Sequence, residues 1–213
     1  MLTSFVQAPG HAFLPAWDDG GSPDPGLAVF RTFRSALPAV RPGGSVLEIG
    51  CADTPWLRLA RQADPTLRLC GVDWRAAKPV EGAFVLRGDI FQQTLTGLDA
   101  VVSLSTIEHL GLGHYAHDPI HPEGDIKAID RVRHWLRPGG WCYFDVPYTP
   151  EGYQLLHETE CRCYDDTALQ FRFGPHRVLG YTTLSGEPIP KPAQNARASR
   201  PFYYVAVLIH AAP

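Results

Sequence analysis

An α/β fold with a doubly wound, mostly parallel sheet is what this sequence predicts, and three observations predict it. Short apolar runs recur along the chain, each closing on a small or acidic residue. Stretches with helical spacing fill the gaps between them, which implies parallel crossovers. Near the C-terminus two β-rich runs follow one another without a helix between, so they should pair antiparallel at one sheet edge.

Leu27, Phe30, Phe33 and Leu37 set out a helix over Leu27 to Val40, closed by Arg41-Pro42-Gly43-Gly44. The same Arg-Pro-Gly-Gly tetrapeptide returns at 137–140, again between a helix and an apolar strand. Two such turns mark equivalent helix-to-strand junctions and no solenoid repeat. Val46, Leu47 and Ile49 read as the first strand, and Pro55 to Ala63 as the helix after it, with Asp53 or Thr54 suited to cap it. Strands follow at Leu67–Asp73, Phe84–Leu86 and Ala100–Leu104. A helix through Ile126, Ile129, Val132 and Leu136 leads to a fifth strand at Trp141–Val146. Thr159 to Leu169 reads as helical, and His176–Thr183 and Phe202–His210 as the antiparallel pair.

Composition narrows the partners. The 213 residues suit one domain with a sizeable core. A net charge of −3 without a Lys/Arg run argues against nucleic acid as the main partner. No apolar stretch approaches a membrane span, and no basic segment leads an apolar core at the N-terminus, so no membrane role is expected. An odd count of five cysteines, several of them in strands, suits reduced thiols in a cytoplasmic protein.

In open α/β sheets ligands bind beyond the carboxyl ends of the strands. Those ends carry Glu48 and Gly50, then Asp73, Asp89 and the stretch from Ser103 to His109. Gly50 lets the chain turn sharply into Cys51 and Ala52 and lets backbone approach a ligand. Asp73 is positioned to accept bonds from two ribose hydroxyls, and Trp74 offers an apolar face to a purine. Asp89 and the Ile90 N–H suit the edge of adenine. Together they describe an adenosine pocket.

The loop Gly50-Cys51-Ala52-Asp53-Thr54 is not Gly-x-Gly-x-x-Gly, and its acid sits close to where a dinucleotide would put its pyrophosphate. No Gly-Lys-Ser/Thr is present for a nucleoside triphosphate. A ligand cationic near the ribose fits better. S-adenosyl-L-methionine carries a sulfonium, an ammonium and a carboxylate, so Glu48 can serve the ammonium and the helix N-terminus the carboxylate.

Five stretches, Glu48–Trp56, Gly71–Asp73, Gly88–Ile90, Leu98–Ser103 and Leu136–Gly140, resemble in order the successive motifs of class I S-adenosylmethionine-dependent methyltransferases. The resemblance covers roughly residues 30–150 and departs at Ala52 and Thr54, where that family usually has further glycines. It implies a Rossmann-like methyltransferase sheet, with residues 26–150 as the cofactor-binding core and 151–213 as a C-terminal part; the Gly- and Pro-rich residues 1–25 read as an extended arm, either disordered or folded over a pocket as a lid. Cys51, Ala52 and Ser103 join the cofactor-binding set by their place in these motifs. A narrower stretch, His109-Leu110-Gly111-Leu112-Gly113-His114-Tyr115, is similar to a little-characterised methyltransferase-like group with a His-x-Gly-Leu-Gly-x-Tyr signature.

Deprotonating a hydroxyl acceptor calls for a base, and His109 follows the fourth strand where acceptor and donor must meet. Glu108, His114, Tyr115 and Tyr148 are read as acceptor-binding residues. The 105–125 connection is rich in His, Asp and Glu but has no His-x-x-x-His helix or Cys pair, so no metal site is assigned. The expected activity is methylation of a small molecule, foremost at a hydroxyl of a sugar or secondary metabolite. A nucleoside-binding module without turnover, and transfer to nitrogen or carbon, stand as alternatives. A homodimer stays open.

Overall fold

The computed structural model describes residues 13–14, 24–113, 120–156, 161–194 and 203–212. Helix α1 (Pro25–Phe33) is the first helix among the described residues; Asp24 caps it by accepting the Leu27 N–H at 2.7 Å, and Pro25 stands in its first turn. Then follow β1 (Ser45–Ile49), α2 (Trp56–Ala63), β2 (Arg68–Asp73), β3 (Ala83–Arg87) and β4 (Leu98–Leu104). Beyond a 3-10 turn at Ile107–His109 come α3 (Gly124–Trp135) and β5 (Leu136–Tyr148). A small antiparallel pair, β6 (Gln154–Leu156) with β7 (Cys161–Cys163), precedes α4 (Asp166–Phe173). The chain closes with β8 (Arg177–Thr182), β9 (Pro188–Ile189) and β10 (Tyr203–His210).

The main sheet runs β3-β2-β1-β4-β5-β10-β8-β9. Strands β1 to β5 are parallel, with Leu47 beside Cys70 on one side and Val101 on the other. Strand β10 inserts antiparallel between β5 and β8, setting Val205 beside Val146 and Tyr181. The expected antiparallel edge is therefore present. Chain order runs outward from β1 in one direction and from β4 in the other, which puts the topological switch point between these two strands.

Each face of the sheet buries its own core. Leu47, Ile49, Val101 and Phe144 pack against Ile129 of α3 and Phe173 of α4. Val46, Val102 and Tyr143 pack against Phe30 of α1 and Trp56 of α2. Because alternate strand residues serve opposite faces, the strands read as continuous apolar runs.

Two helix expectations need correcting. The helix expected from Leu27 to Val40 ends at Phe33 and is followed only by a 3-10 turn at Arg34–Ala36. Leu37 precedes Pro38 and is extended (ψ 145°), because the proline ring clashes with a helical neighbour before it. The helix expected over Thr159–Leu169 gives way to β7, and α4 starts at Asp166, where Asp165 accepts the Ala168 N–H at 2.7 Å. Residues 159–160 lie outside the described residues.

Most of the 1–25 arm also lies outside the described residues. Phe13 and Leu14 are an exception: both are buried, the Phe13 ring lying edge-on to Trp141 at 5.1 Å and stacked on Trp56 at 6.4 Å. All five cysteines are free thiols.

Candidate functional site

A cavity of about 250 Å³ opens over the carboxyl ends of β1, β2 and β4. Its wall brings together Gly50, Asp73, Trp74, Asp89, Ile90 and His109, six of the residues singled out from the sequence. Asp24, Asp53, Arg75, Phe91, Ser105 and Thr106 line it as well.

The first loop is built around Gly50. Its φ is +83°, a conformation that favours glycine, and a Cβ there would stand 2.1 Å from Thr106 Oγ1. Its N–H donates to the Val72 carbonyl at 2.9 Å, tying the tip of β1 to that of β2. Among the described residues the left-handed non-glycine positions are Leu14 and Ser105, so Ala52 fits this loop without strain.

Glu48 is fully buried beneath the loop. Thr54 donates to Glu48 Oε1 at 2.7 Å and accepts the Trp56 N–H at 2.9 Å, joining the strand acid to the start of α2 through one hydroxyl. Burial pushes the Glu48 carboxyl up to about 8, against the pull of the Thr54 hydrogen bond. Its Oε2 makes no hydrogen bond to the protein. Cys51 is also buried, and its thiol is pushed up to about 12 by that burial.

Asp73 is held from two sides. Its Oδ2 accepts the Ala52 N–H at 2.9 Å, and its Oδ1 accepts the Arg75 N–H at 2.8 Å. The Arg75 guanidinium also reaches both oxygens at 3.2 Å and ion-pairs with Asp53. Sequence reasoning missed Arg75, because nothing in its spacing shows that it folds back over the acid two positions earlier. Asp89 caps a 3-10 turn by accepting the Phe91 N–H at 2.8 Å, which fixes its carboxylate at the cavity wall.

The opposite wall is the turn after β4. Ser105 takes a left-handed φ of +43°, held by its N–H to Asp145 Oδ1 at 2.8 Å. Its hydroxyl donates to Glu108 Oε1 at 2.8 Å and lies 2.7 Å from the Tyr204 hydroxyl of β10. Glu108 is fully buried, and its Oε1 stands 3.8 Å from His109 Nε2. Burial raises the Glu108 carboxyl, with His109 and Arg162 pulling the other way. Burial, reinforced by Glu108, likewise raises Asp145.

Arg162 of β7, also fully buried, joins the two described parts of the 105–125 connection. Its guanidinium donates to the carbonyls of Glu108 (3.2 Å), Leu110 (2.8 Å) and Pro122 (3.0 Å). The Cys-Arg-Cys triplet thus works through its arginine.

Other sequence-derived positions fall elsewhere. Ser103 is buried inside β4 and does not line the cavity; Ser105, the next residue on that face, does. Cys51 and Ala52 contribute packing and a backbone N–H, and Glu48 and Glu108 stand behind the wall. Tyr148 borders a separate groove with Asp166 and Lys191, its hydroxyl donating to Asp166 at 3.2 Å. His114 and Tyr115 lie outside the described residues. Among the described residues no group of three or more His, Cys, Asp or Glu is arranged to hold a metal ion.

Sheet order and a cavity at the switch point together define the fold of class I S-adenosylmethionine-dependent methyltransferases. The chain itself belongs to the family described as Caenorhabditis protein of unknown function, DUF268, matched over residues 85–191. It is 33% identical over 122 residues to the malonyl-[acyl-carrier protein] O-methyltransferase of Alcanivorax borkumensis; the match takes in 57% of this chain and 41% of the relative, less than half of its length. Among solved structures it resembles a chain of the Haloferax volcanii complex between the Trm112 methyltransferase activator and a methyltransferase (TM-score 0.60, 17% identity, 97% of this chain and 100% of that one). It also resembles the 1,6-didemethyltoxoflavin-N1-methyltransferase of Burkholderia thailandensis, solved with S-adenosylhomocysteine (TM-score 0.58, 14% identity, 98% and 94%). At such identities the structures speak for fold.

Proposed function

We propose that this protein is a cytoplasmic methyltransferase that uses S-adenosyl-L-methionine and methylates a small molecule, foremost at a hydroxyl of a sugar or secondary metabolite. The observation that carries the reading is the meeting of Asp73, Trp74, Asp89 and Ile90 with His109 in one cavity at the strand tips. The residues present fit the donor. Asp73 suits the ribose hydroxyls, and Asp89 and Ile90 the adenine edge; Glu48, expected to serve the ammonium, is buried behind the wall and does not line the cavity. When bound, the donor supplies an electrophilic methyl group on sulfur, which keeps the electron pair of the broken C–S bond. His109 takes the hydroxyl proton as the acceptor oxygen forms its bond to carbon, and the cavity wall holds the two partners in line. Among the described residues no helix is long and apolar enough to cross a membrane.

A second reading, transfer to a basic nitrogen, draws support from the carboxylates on the wall: Asp24, Asp53, Asp73 and Asp89 face the cavity alongside Arg75. The Burkholderia neighbour is an N-methyltransferase. Calorimetry with S-adenosylhomocysteine tests the shared core of both readings: micromolar binding by the wild type, weakened at least tenfold in Asp73→Ala. Absence of binding by the wild type, or undiminished binding by the variant, overturns them. Turnover of methyl-labelled donor with panels of hydroxylated and amine acceptors then separates the two, and no turnover with either leaves a binding module.

A further inference from the structure

We propose that Glu108 is a positioning residue for His109, a buried carboxyl group that aligns the imidazole at the cavity wall and stabilises the imidazolium formed when the acceptor gives up its proton. The inference rests on the methyltransferase reading for its use but on the geometry of the turn for its substance. Two polar side chains of the acceptor wall, Ser105 and His109, converge on one oxygen: Glu108 Oε1 accepts the Ser105 hydroxyl at 2.8 Å and lies 3.8 Å from His109 Nε2. Glu108 itself is fully buried and does not line the cavity, so it acts through His109 and Ser105 and not on the acceptor.

The surroundings hold this arrangement in place. Arg162 grips the carbonyls of Glu108 and Leu110, on either side of His109, which fixes the backbone that carries the imidazole. Ser105 is kept in its left-handed conformation by Asp145, and its hydroxyl is shared with Tyr204. A carboxyl needed only to pin this turn would be expected to spend both oxygens, yet Glu108 Oε2 has no hydrogen-bond partner. An apolar side chain in its place would avoid the desolvation cost altogether. Retaining an acid there is explained by a group that becomes positively charged beside it.

The titratable and charged groups facing Glu108 come from four elements. They are His109 on its own turn, Arg162, Cys163 and Tyr164 on and after β7, Asp145 on β5, and Tyr204 on β10. Of these, His109 alone lines the cavity. During transfer the acceptor proton resides on the imidazole, opposite the Glu108 carboxylate, and leaves to water as product departs.

Carbon-13 NMR of protein labelled at glutamate carboxyl groups tests the coupling, with Glu108→Gln identifying the resonance. In His109→Gln the Glu108 midpoint is expected to rise by about one pH unit, because the imidazolium that favours the carboxylate is gone, while Glu48 stays put as an internal control. A Glu108 midpoint equal in wild type and variant overturns the proposal. If His109→Gln does not fold, the wild type answers alone: the Glu108 carboxyl resonance should move in step with the His109 ring resonance, and independent titration overturns the pairing. Calorimetry with S-adenosylhomocysteine on the same wild-type sample keeps the two claims apart, since failure to bind sinks the methyltransferase reading whatever the carboxyl does.

Discussion

Arg137 Nε lies 2.5 Å from Asp99 Oδ1, the same oxygen that Arg41 Nε reaches at 2.8 Å. The two arginines open the two Arg-Pro-Gly-Gly stretches, the first a turn leading into β1 and the second, contrary to expectation, part of the start of β5; Asp99 sits near the start of β4, between those two strands. Asp99 Oδ2 accepts the Ser45 N–H at 2.8 Å. Burial alone would raise this carboxyl, but the Ser45 N–H and both guanidiniums hold it below the usual carboxylate range. The repeated tetrapeptide clamps the amino ends of the inner strands β1, β4 and β5, away from the cavity.

Asp99→Ala should therefore cost about 1–3 kcal/mol, chiefly through the half-buried Ser45 N–H left without its acceptor. Urea unfolding measures this. S-adenosylhomocysteine affinity should stay within about twofold of wild type, since the substitution lies at the far ends of the strands. A stability change below about 0.5 kcal/mol would remove the clamp from the account.

Arg162→Met should be more damaging, by about 3–5 kcal/mol, because a buried arginine leaves three carbonyls and the Asp125 carboxylate partly unmatched. Arg162→Lys should not rescue it, as an ammonium cannot span the carbonyls of Glu108 and Pro122 as a planar fork does. Chemical denaturation gives the magnitude. Limited proteolysis should place the earliest new cleavage between residues 105 and 125.

Gly50→Ala should abolish nucleoside binding while the sheet still forms. The added methyl must displace Thr106 on the opposite wall, and the left-handed φ adds strain. Binding of S-adenosylhomocysteine by calorimetry, beside far-ultraviolet circular dichroism, checks both halves. Wild-type affinity in this variant would count against a close approach of the Gly50 turn to the ligand.

Stability should also depend on pH through Glu48, whose carboxyl burial pushes up to about 8. A folded-state value above the unfolded one means the folded protein holds the extra proton, so this contribution is complete below about pH 4.5 and is lost as pH rises through about 8. Glu48→Gln should flatten the fall in Tm between pH 5 and pH 8 relative to wild type. An equally steep fall in the variant would assign the slope to other groups.

The order of strands and helices was readable because each is signalled locally: apolar runs, helical spacing, caps and Pro-Gly turns act over a few residues. Asp73, Asp89 and His109 could be placed at strand ends for the same reason, a strand's end being a local event. The helix limits at Phe33 and Asp166 were not readable from periodicity, since Pro38 and the cap at Asp165 override it. Ser103 and Ser105 show how fine the distinction is: two residues apart on one strand end, one is walled into the sheet and the other forms the cavity.

The sequence by itself determined the α/β alternation, the antiparallel edge and the acids at the strand tips, because backbone preference and hydrophobic period are properties of neighbouring residues. Only the tertiary structure decided that Arg75 folds over Asp73 and Asp53, that Arg162 grips the His109 turn, and that Tyr204 from the last strand meets Ser105. These contacts join residues far apart in the chain or turned back on it, and their partners are chosen by packing and by the need to satisfy buried charge. No local period encodes that choice.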